Sequence, residues 1–188
     1  MILLIDFGSS KAPLIEDILM KFASVERIGY YDFDEKTLKK YSAIVFSGAP
    51  ILLSQIDNSK YISDFQWVKE YNKPILGICF GHQLLGLLFG ASVSLQREDR
   101  GMQWIEVIAH NPLFDDLKNP VEMQEDHCES ISVAPGFELT ATSDFTVNEA
   151  MHHKSLPFFG VQFHPEVSGK AGELLLENFC KLVKLFNA

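Results

Sequence analysis

Gly77-Ile78-Cys79-Phe80-Gly81 is the stretch on which the predicted fold depends. Its first two residues end a short apolar run at 74–78 that predicts a buried strand. A helical pattern of apolar residues begins after it, at Gln83. A strand, Gly-x-Cys-x-Gly and a helix form the thiol version of the nucleophile elbow, a turn that lifts a reactive side chain above the edge of a sheet. Because that turn requires an uncommon backbone conformation, its neighbours must be small. Cys79 is therefore a candidate nucleophile, whereas a cysteine without these glycines would indicate core packing.

The composition is that of an ordinary globular chain. The 188 residues are 47% hydrophobic and 22% charged, and the formal net charge of -9 offers no basic surface to nucleic acid. No apolar run approaches the roughly 18 residues that span a membrane, and Met1–Asp6 predicts a first strand and not a signal peptide. Three scattered cysteines give no disulfide framework, which predicts a reducing, cytoplasmic environment that keeps the Cys79 thiol free.

Strand and helix patterns alternate through the first half of the chain. Strands are predicted at 1–6, 25–31, 43–46 and 74–78, and helices at 14–22, 35–41, 61–71 and from 83 onward. This alternation predicts right-handed crossovers and a parallel sheet. Ligands of such sheets gather at the carboxyl ends of the strands, and both Gly48 and Cys79 lie just past such an end.

The pattern changes after Gly90 to short strands separated by turns. These strands are predicted at 93–95, 104–108, 121–123, 138–142 and 158–163, and a final amphipathic helix begins at Gly169. We therefore predict a single α/β domain over residues 1–188. It has a mostly parallel central sheet flanked by helices and a smaller antiparallel β portion in its second half.

A second stretch, Phe163-His164-Pro165-Glu166, carries the groups that a thiol nucleophile needs. A histidine can take the proton of the thiol, and a carboxylate can hold the imidazole in the right tautomer. Pro165 keeps His164 extended, and residues i and i+2 of an extended chain share a face, so we expect His164 and Glu166 to approach from one side. Alone, the tripeptide is more typical of a strand end with a solvated acid than of a catalytic pair. The presence of the elbow favours the catalytic interpretation.

The sequence indicates no metal or cofactor site. A zinc site would have to use His127, Cys128 and the other cysteines, and no Cys-x-x-Cys or His-x-x-x-His spacing supports it. There is also no Gly-x-Gly-x-x-Gly or Walker pattern that would bind nucleotide phosphates. The polar segment around His127 is instead expected to line a pocket.

Together these motifs resemble the class I (triad) glutamine amidotransferases. The resemblance rests on Gly77–Gln83 and Gly160–Glu166, and further family segments follow in order at 6–9, 46–50, 127–131, 148–151 and 177–179. Within the family, the chain is most similar to the branch that contains the glutaminase part of GMP synthase, on the evidence of 127–131 and 149–151. The resemblance implies the flavodoxin-like fold of these amidotransferases.

The resemblance also implies a role for each site residue. Cys79 would attack the side-chain amide carbon of L-glutamine, His164 would carry the proton to the departing ammonia, and Glu166 would orient His164. Water would then hydrolyse the γ-glutamyl thioester to glutamate. The backbone N–H groups of Ala49 and Phe80 would form the oxyanion hole. The residues implied in substrate binding are Gly48, Gln83, Asp126, His127 and Cys128.

The resemblance further implies that ammonia passes to a separate ATP-dependent synthetase, with no cofactor on this chain. A γ-glutamyl peptidase on the same fold and a non-catalytic regulatory subunit remain open alternatives. Five positions depart from the family pattern: Ala49 stands where glycine is usual, Asp126 where serine is usual in the GMP synthase branch, Cys128 where glycine is frequent, and Ser10-Lys11 where Gln-Tyr is common. These departures leave glutamine hydrolysis as the expected activity and the GMP synthase type open.

Overall fold

Nine strands and four helices make up the fold. A computed structural model describes residues 1–188. The strands are β1 (Ile2–Asp6), β2 (Val25–Gly29), β3 (Ala43–Phe46), β4 (Ile75–Ile78), β5 (Val93–Val107), β6 (Val121–Ile131), β7 (Phe137–Thr142), β8 (Ala150–His153) and β9 (Phe158–Val161). The helices are α1 (Ala12–Leu19), α2 (Ser59–Asp64), α3 (Phe80–Leu88) and α4 (Gly169–Phe186). None of the helices combines the length and the apolar content needed to cross a membrane.

The strands form one mixed sheet in the order β2-β1-β3-β4-β9-β8-β7-β5-β6. The strands from β2 to β9 in this order pair in parallel, and all pairs from β9 onward are antiparallel. This confirms the predicted α/β class with its antiparallel portion in the second half. Because β4 lies between β3 and β9, the segments that follow these three strands meet at one edge of the sheet. Gly48, Cys79 and His164 are in those segments.

Helices cover both faces of the parallel strands. Alternate residues of β1 enter different cores: Ile2 and Leu4 pack with α1 and α4, whereas Leu3 and Ile5 pack with α3 and the segment after α2. All four side chains are fully buried, as expected for a central parallel strand. Each such burial stabilises the fold by about 1.5–3 kcal/mol, so the sheet edge that carries the site rests on a rigid scaffold.

Several predicted elements differ in the structure. The helix predicted at 61–71 is divided into α2 and a 3-10 turn at Gln66–Glu70, and the helix predicted at 35–41 is a 3-10 turn at Glu35–Lys40. The strands predicted at 93–95 and 104–108 are the two ends of β5, and the strand predicted at 121–123 continues to Ile131. β8 was not predicted. Polar residues fill the middle of the β5–β6 ribbon, where backbone pairing and not apolar periodicity maintains the strands.

Candidate active site

The turn between β4 and α3 places Cys79 in a strained backbone conformation. Its φ of 52° and ψ of -107° make it one of two non-glycine residues with positive φ. Such conformations cost about 1–3 kcal/mol and persist where the surrounding structure imposes them. The two glycines permit the turn, because a Cβ at Gly77 would lie 2.5 Å from the carbonyl oxygen of Gly81, and a Cβ at Gly81 would overlap the backbone of Phe46.

Two backbone N–H groups near Cys79 have no acceptor within the protein. The amide of Cys79 donates to Val161 O (2.9 Å), and that of Gly81 donates to Ser47 O (3.1 Å). The amides of Phe80 and Ala49 make no hydrogen bond, although both residues line the same cavity as the cysteine. Phe80 is the first residue of α3, so its N–H also lies at the positive end of the helix dipole.

His164 and Glu166 form a buried pair, although not in the predicted geometry. The Nδ1 atom of His164 lies 2.7 Å from Oε1 of Glu166, and both side chains are almost completely buried. The prediction of an extended chain through this segment was wrong, because Pro165–Val167 is one turn of 3-10 helix. His164 itself stays outside the helical region, as expected before proline. The turn still brings the carboxylate back to the imidazole.

The side chains of Cys79 and His164 meet above Gly48. A Cβ at Gly48 would lie 3.2 Å from Cε1 of His164 and 3.8 Å from Cβ of Cys79, so a larger residue would enter the space that they share. Burial lowers the pKa of His164, but hydrogen bonding with the Cys79 and Glu166 side chains raises this pKa to about 10. An imidazolium beside a cysteine favours the thiolate form, which is the nucleophile.

These groups open into one cavity of about 330 Å³. The predicted site residues that line it are Ala49, Cys79, Phe80, Gln83, Asp126, His127, Cys128 and His164. Glu166 lies behind His164, and Gly48 lies beneath the imidazole and the cysteine. Nowhere in the chain do three or more His, Cys, Asp or Glu side chains form a group that would hold a metal ion.

Sequence comparison agrees with this geometry. The model of the family "glutamine amidotransferase class-I" matches residues 3–183. The chain belongs to this family. The family assignment made from the two motifs is thus confirmed.

Relatives of this amidotransferase include glutamine-hydrolysing subunits of GMP synthase. The chain is 39% identical over 152 residues to the subunit from Pyrococcus furiosus, and the match covers 79% of each chain. It is 30% identical over 183 residues to the subunit from Sulfolobus acidocaldarius, and this match covers 95% of this chain and 96% of the relative. A solved structure of a GMP synthase subunit from Thermoplasma acidophilum is 26% identical, with a TM-score of 0.90 over 99% of this chain and 94% of that chain.

Two departures of this amidotransferase from the family pattern contact each other at the cavity mouth. Nζ of Lys11 lies 2.5 Å from Oδ2 of Asp126, and Nε of Arg100 lies 3.5 Å from Oδ1 of the same carboxylate. Hydrogen bonding to Lys11 lowers the pKa of Asp126, so Asp126 is a carboxylate at neutral pH. Neither Lys11 nor Arg100 was among the predicted site residues. Lys11, the cation that pairs with Asp126, is 115 residues away in sequence, so no local sequence pattern predicts the pair.

Three further residues of the amidotransferase organise the cavity wall. Nε2 of Gln83 donates to Glu129 O (3.2 Å) and to Oε1 of Gln162 (3.0 Å), and Nε2 of Gln162 donates to Sγ of Cys79 (3.6 Å). The carboxylate of Glu129 accepts hydrogen bonds from the amides of Leu53 and Ser54, both at 2.8 Å. Sequence reasoning missed Gln162 and the role of Glu129. The position of Gln162, two residues before His164 in the second motif, was the one signal that could have found it.

Proposed function

We propose that this chain hydrolyses the side-chain amide of L-glutamine to glutamate and ammonia, as the glutaminase subunit of a GMP synthase-type enzyme. The observation that carries the proposal is the meeting of Cys79, on its strained elbow, with the buried His164–Glu166 pair in one cavity. The GMP synthase type rests on the relatives that are named as glutamine-hydrolysing subunits of that enzyme. Residues 1–188 act as a single domain in this proposal.

In the first half of the proposed reaction, the Cys79 sulfur attacks the amide carbon of glutamine. The negative charge that develops on the amide oxygen is stabilised by the N–H groups of Ala49 and Phe80, which have no competing acceptor. Loss of one such donor typically costs about 10²–10³ in kcat. The imidazolium of His164 gives its proton to the amide nitrogen, the carbon–nitrogen bond breaks, and ammonia leaves behind a γ-glutamyl thioester.

In the second half, water replaces ammonia. Neutral His164 takes a proton from water, the hydroxide adds to the thioester carbon, and the carbon–sulfur bond breaks to release glutamate and the Cys79 thiolate. Glu166 holds the Nδ1 proton of His164 throughout and stabilises the imidazolium. Every proton in this cycle passes through one side chain, so the reaction needs no cofactor.

The cavity volume and lining suit an amino acid of the size of glutamine. At about 330 Å³, the cavity lies at the lower end of the usual range for small-molecule sites. We propose that Gly48, Gln83, Asp126, His127 and Cys128 bind the substrate. The polar groups of the wall and the charges at the mouth then face the amino-acid end, while the amide reaches the sulfur.

We propose that the ammonia acceptor is bound by a separate ATP-dependent synthetase subunit. Relatives of matching length are named as one subunit of GMP synthase. The chain also matches the GMP synthase of Bacillus licheniformis at 33% identity, over 95% of this chain but only 35% of that longer protein. We place this assembly in the reducing cytoplasm, without nucleic acid or membrane partners, in keeping with the net charge of -9.

The test measures ammonia release from glutamine by the parent chain and by Cys79→Ala, each with and without the synthetase subunit. Cys180→Ala, on the buried face of α4, is the matched cysteine control. We expect the Cys79 variant alone to lose ammonia release. Equal release by parent and Cys79→Ala would refute the proposal, and faster turnover of γ-glutamyl peptides than of glutamine would identify a γ-glutamyl peptidase instead.

A further inference from the structure

Two glutamates with no exposed surface lie behind the cavity wall. Glu125, on β6, and Glu149, just before β8, lie close enough together that each carboxyl group affects the pKa of the other. Oε1 of Glu149 accepts the hydroxyl of Ser143 (2.6 Å), but its Oε2 and both carboxyl oxygens of Glu125 have no donor among the polar groups around them. Two facing carboxylates without donors would repel in a medium of low dielectric constant. A proton on each carboxyl group removes the repulsion and supplies the missing donors.

The tautomer of His127 shows where one of these protons lies. Nδ1 of His127 is 2.8 Å from the carbonyl oxygen of Glu129, which can only accept, so Nδ1 carries a proton. Nε2 faces Oε2 of Glu125 at 3.1 Å and has no other partner. One proton must therefore lie between Nε2 and Oε2. Burial lowers the pKa of His127, whereas burial raises the pKa of Glu125 to about 8, so the proton belongs to the carboxyl group.

We propose that Glu125 and Glu149 are held as uncharged carboxylic acids that position the glutamine-binding wall through His127. In this arrangement Ser143 donates to Glu149, Glu149 to Glu125, Glu125 to Nε2 of His127, and Nδ1 of His127 to the carbonyl of Glu129. The hydrogen bonds of this series all run in one direction, from Ser143 towards Glu129. All the unpaired buried oxygens of the two glutamates thereby gain a partner. The proposal rests on the proposed function, because it assigns the wall to glutamine binding.

The chain of hydrogen bonds ends on the part of the wall that faces the substrate. The carbonyl of Glu129 accepts from both His127 and Gln83, which line the cavity. The side chain of Glu129 holds the amides of Leu53 and Ser54, a few residues after the Ala49 donor. The two buried glutamates touch neither the cavity nor the reacting atoms, so they are positioning residues. Their protonation state affects glutamine binding by changing the orientation of His127 and Glu129.

Charged groups around the two glutamates act in opposite directions. Asp99, on β5, raises the pKa of Glu125 by its negative charge, and His164 lowers it. Glu125 itself, together with burial, raises the pKa of Glu149 to about 9. Burial is the largest effect on both groups. The wall is therefore intact at neutral pH and loses its donor to His127 when the glutamates ionise.

The consequence is a dependence of glutamine binding on pH. If only the protonated network binds glutamine well, KM rises up to about tenfold per pH unit above the lower of the two pKa values. The value of kcat depends instead on His164, whose pKa is raised to about 10, so kcat should change little between about pH 8 and 9 while KM rises.

The test compares Glu125→Gln and Glu149→Gln with the parent in the complete complex with the synthetase subunit. A glutamine amide keeps a donor but cannot ionise, and Glu122→Gln, on the exposed face of the same strand, is the matched control. We expect both core variants to bind glutamine at neutral pH with KM close to the parent value. Glu125→Gln should lose the alkaline rise in KM, whereas Glu149→Gln and the control, which both retain the ionisable Glu125, should keep it. Loss of binding at neutral pH by folded variants, or an unchanged alkaline rise in Glu125→Gln, would overturn the proposal.

Infrared spectroscopy of the same proteins detects protonated carboxyl groups directly, without an activity assay. The parent at neutral pH is expected to show the carbonyl stretch of protonated carboxyl groups, which disappears at alkaline pH and is reduced in each Gln variant. Absence of this band from the parent would overturn the proposal even where a variant does not fold. Presence of the band in a protein that releases no ammonia from glutamine would refute the proposed function and leave the buried acids in place.

Discussion

Substitution of Gly77 by alanine should damage the nucleophile elbow far more than alanine at Gly48 or Gly29. The added Cβ would lie 2.5 Å from Gly81 O, about 0.9 Å closer than an ordinary contact of 3.4 Å, and the next nearest atoms are also backbone. Because backbone cannot rotate away, the start of α3 must move by nearly that distance. Displacement of a reacting group by about 1 Å costs roughly 10²-fold in rate, and overpacking costs about 1–3 kcal/mol of stability.

Two other glycines provide a graded comparison. A Cβ at Gly48 would be 3.2 Å from Cε1 of His164, so the imidazole must move by only about 0.2 Å, and Gly48→Ala should lower kcat by less than about tenfold. A Cβ at Gly29 meets only the end of the Asp32 side chain at 3.5 Å, so Gly29→Ala should change neither property. The assays are glutamine turnover in the complete complex and denaturant unfolding of the chain. A Gly77→Ala variant with kcat and unfolding free energy equal to those of Gly29→Ala would refute the reasoning.

Three further predictions concern the charges of the site. Glu166→Gln removes the anion beside His164, so the pKa of His164 should fall from about 10 in an NMR titration, and kcat should fall by about 10²-fold or more; an unchanged imidazole pKa would contradict this. Lys11→Met leaves the Asp126 carboxylate without its nearest cation, and because this pair is partly exposed the rise in KM for glutamine should be no more than about fivefold. The double variant with Asp126→Ser should restore KM, and failure to do so would show that the two residues act independently. The pKa values of Glu125 and Glu149 are raised in the folded state, so the folded chain binds more protons than the unfolded chain. The free energy of unfolding should therefore fall as pH rises from about 5 to about 8, by up to about 1.4 kcal/mol per pH unit for each carboxyl group. The free energy of unfolding of Glu125→Gln, measured with denaturant at several pH values, should fall less steeply with pH than that of the parent. An equal pH dependence would contradict the assignment.

The sequence was most informative where the structural constraint is local. The two glycines around Cys79 predict the turn because both the strained residue and the close backbone contacts involve neighbours within a few positions. The pairing of His164 with Glu166 was expected from the same local logic, but through an extended chain, and the structure forms it through a 3-10 turn after Pro165. A residue spacing can thus indicate which side chains meet while leaving the backbone path undetermined.

The interactions that sequence reasoning missed join distant segments. The Lys11–Asp126 ion pair and the Glu125–Glu149 carboxyl pair connect different strands and loops. Hydrophobic periodicity in the sequence does not predict such pairs. One signal was present for Glu125: it continues the alternation of the buried residues Val121 and Met123 on β6. An acid at an inward position of such a pattern indicates a buried carboxyl group that needs a proton or a partner. That signal is visible only once the strand is known to continue past residue 123.

The central claim is that Cys79 carries the glutamyl group during glutamine hydrolysis. The most direct measurement is acid quench of the complete complex during turnover of isotopically labelled glutamine, followed by mass spectrometry of the proteolytic peptides. We expect a labelled γ-glutamyl group on the peptide that contains Cys79, and none in Cys79→Ala. Ammonia release with no label on this peptide, or with label on another side chain, would contradict it.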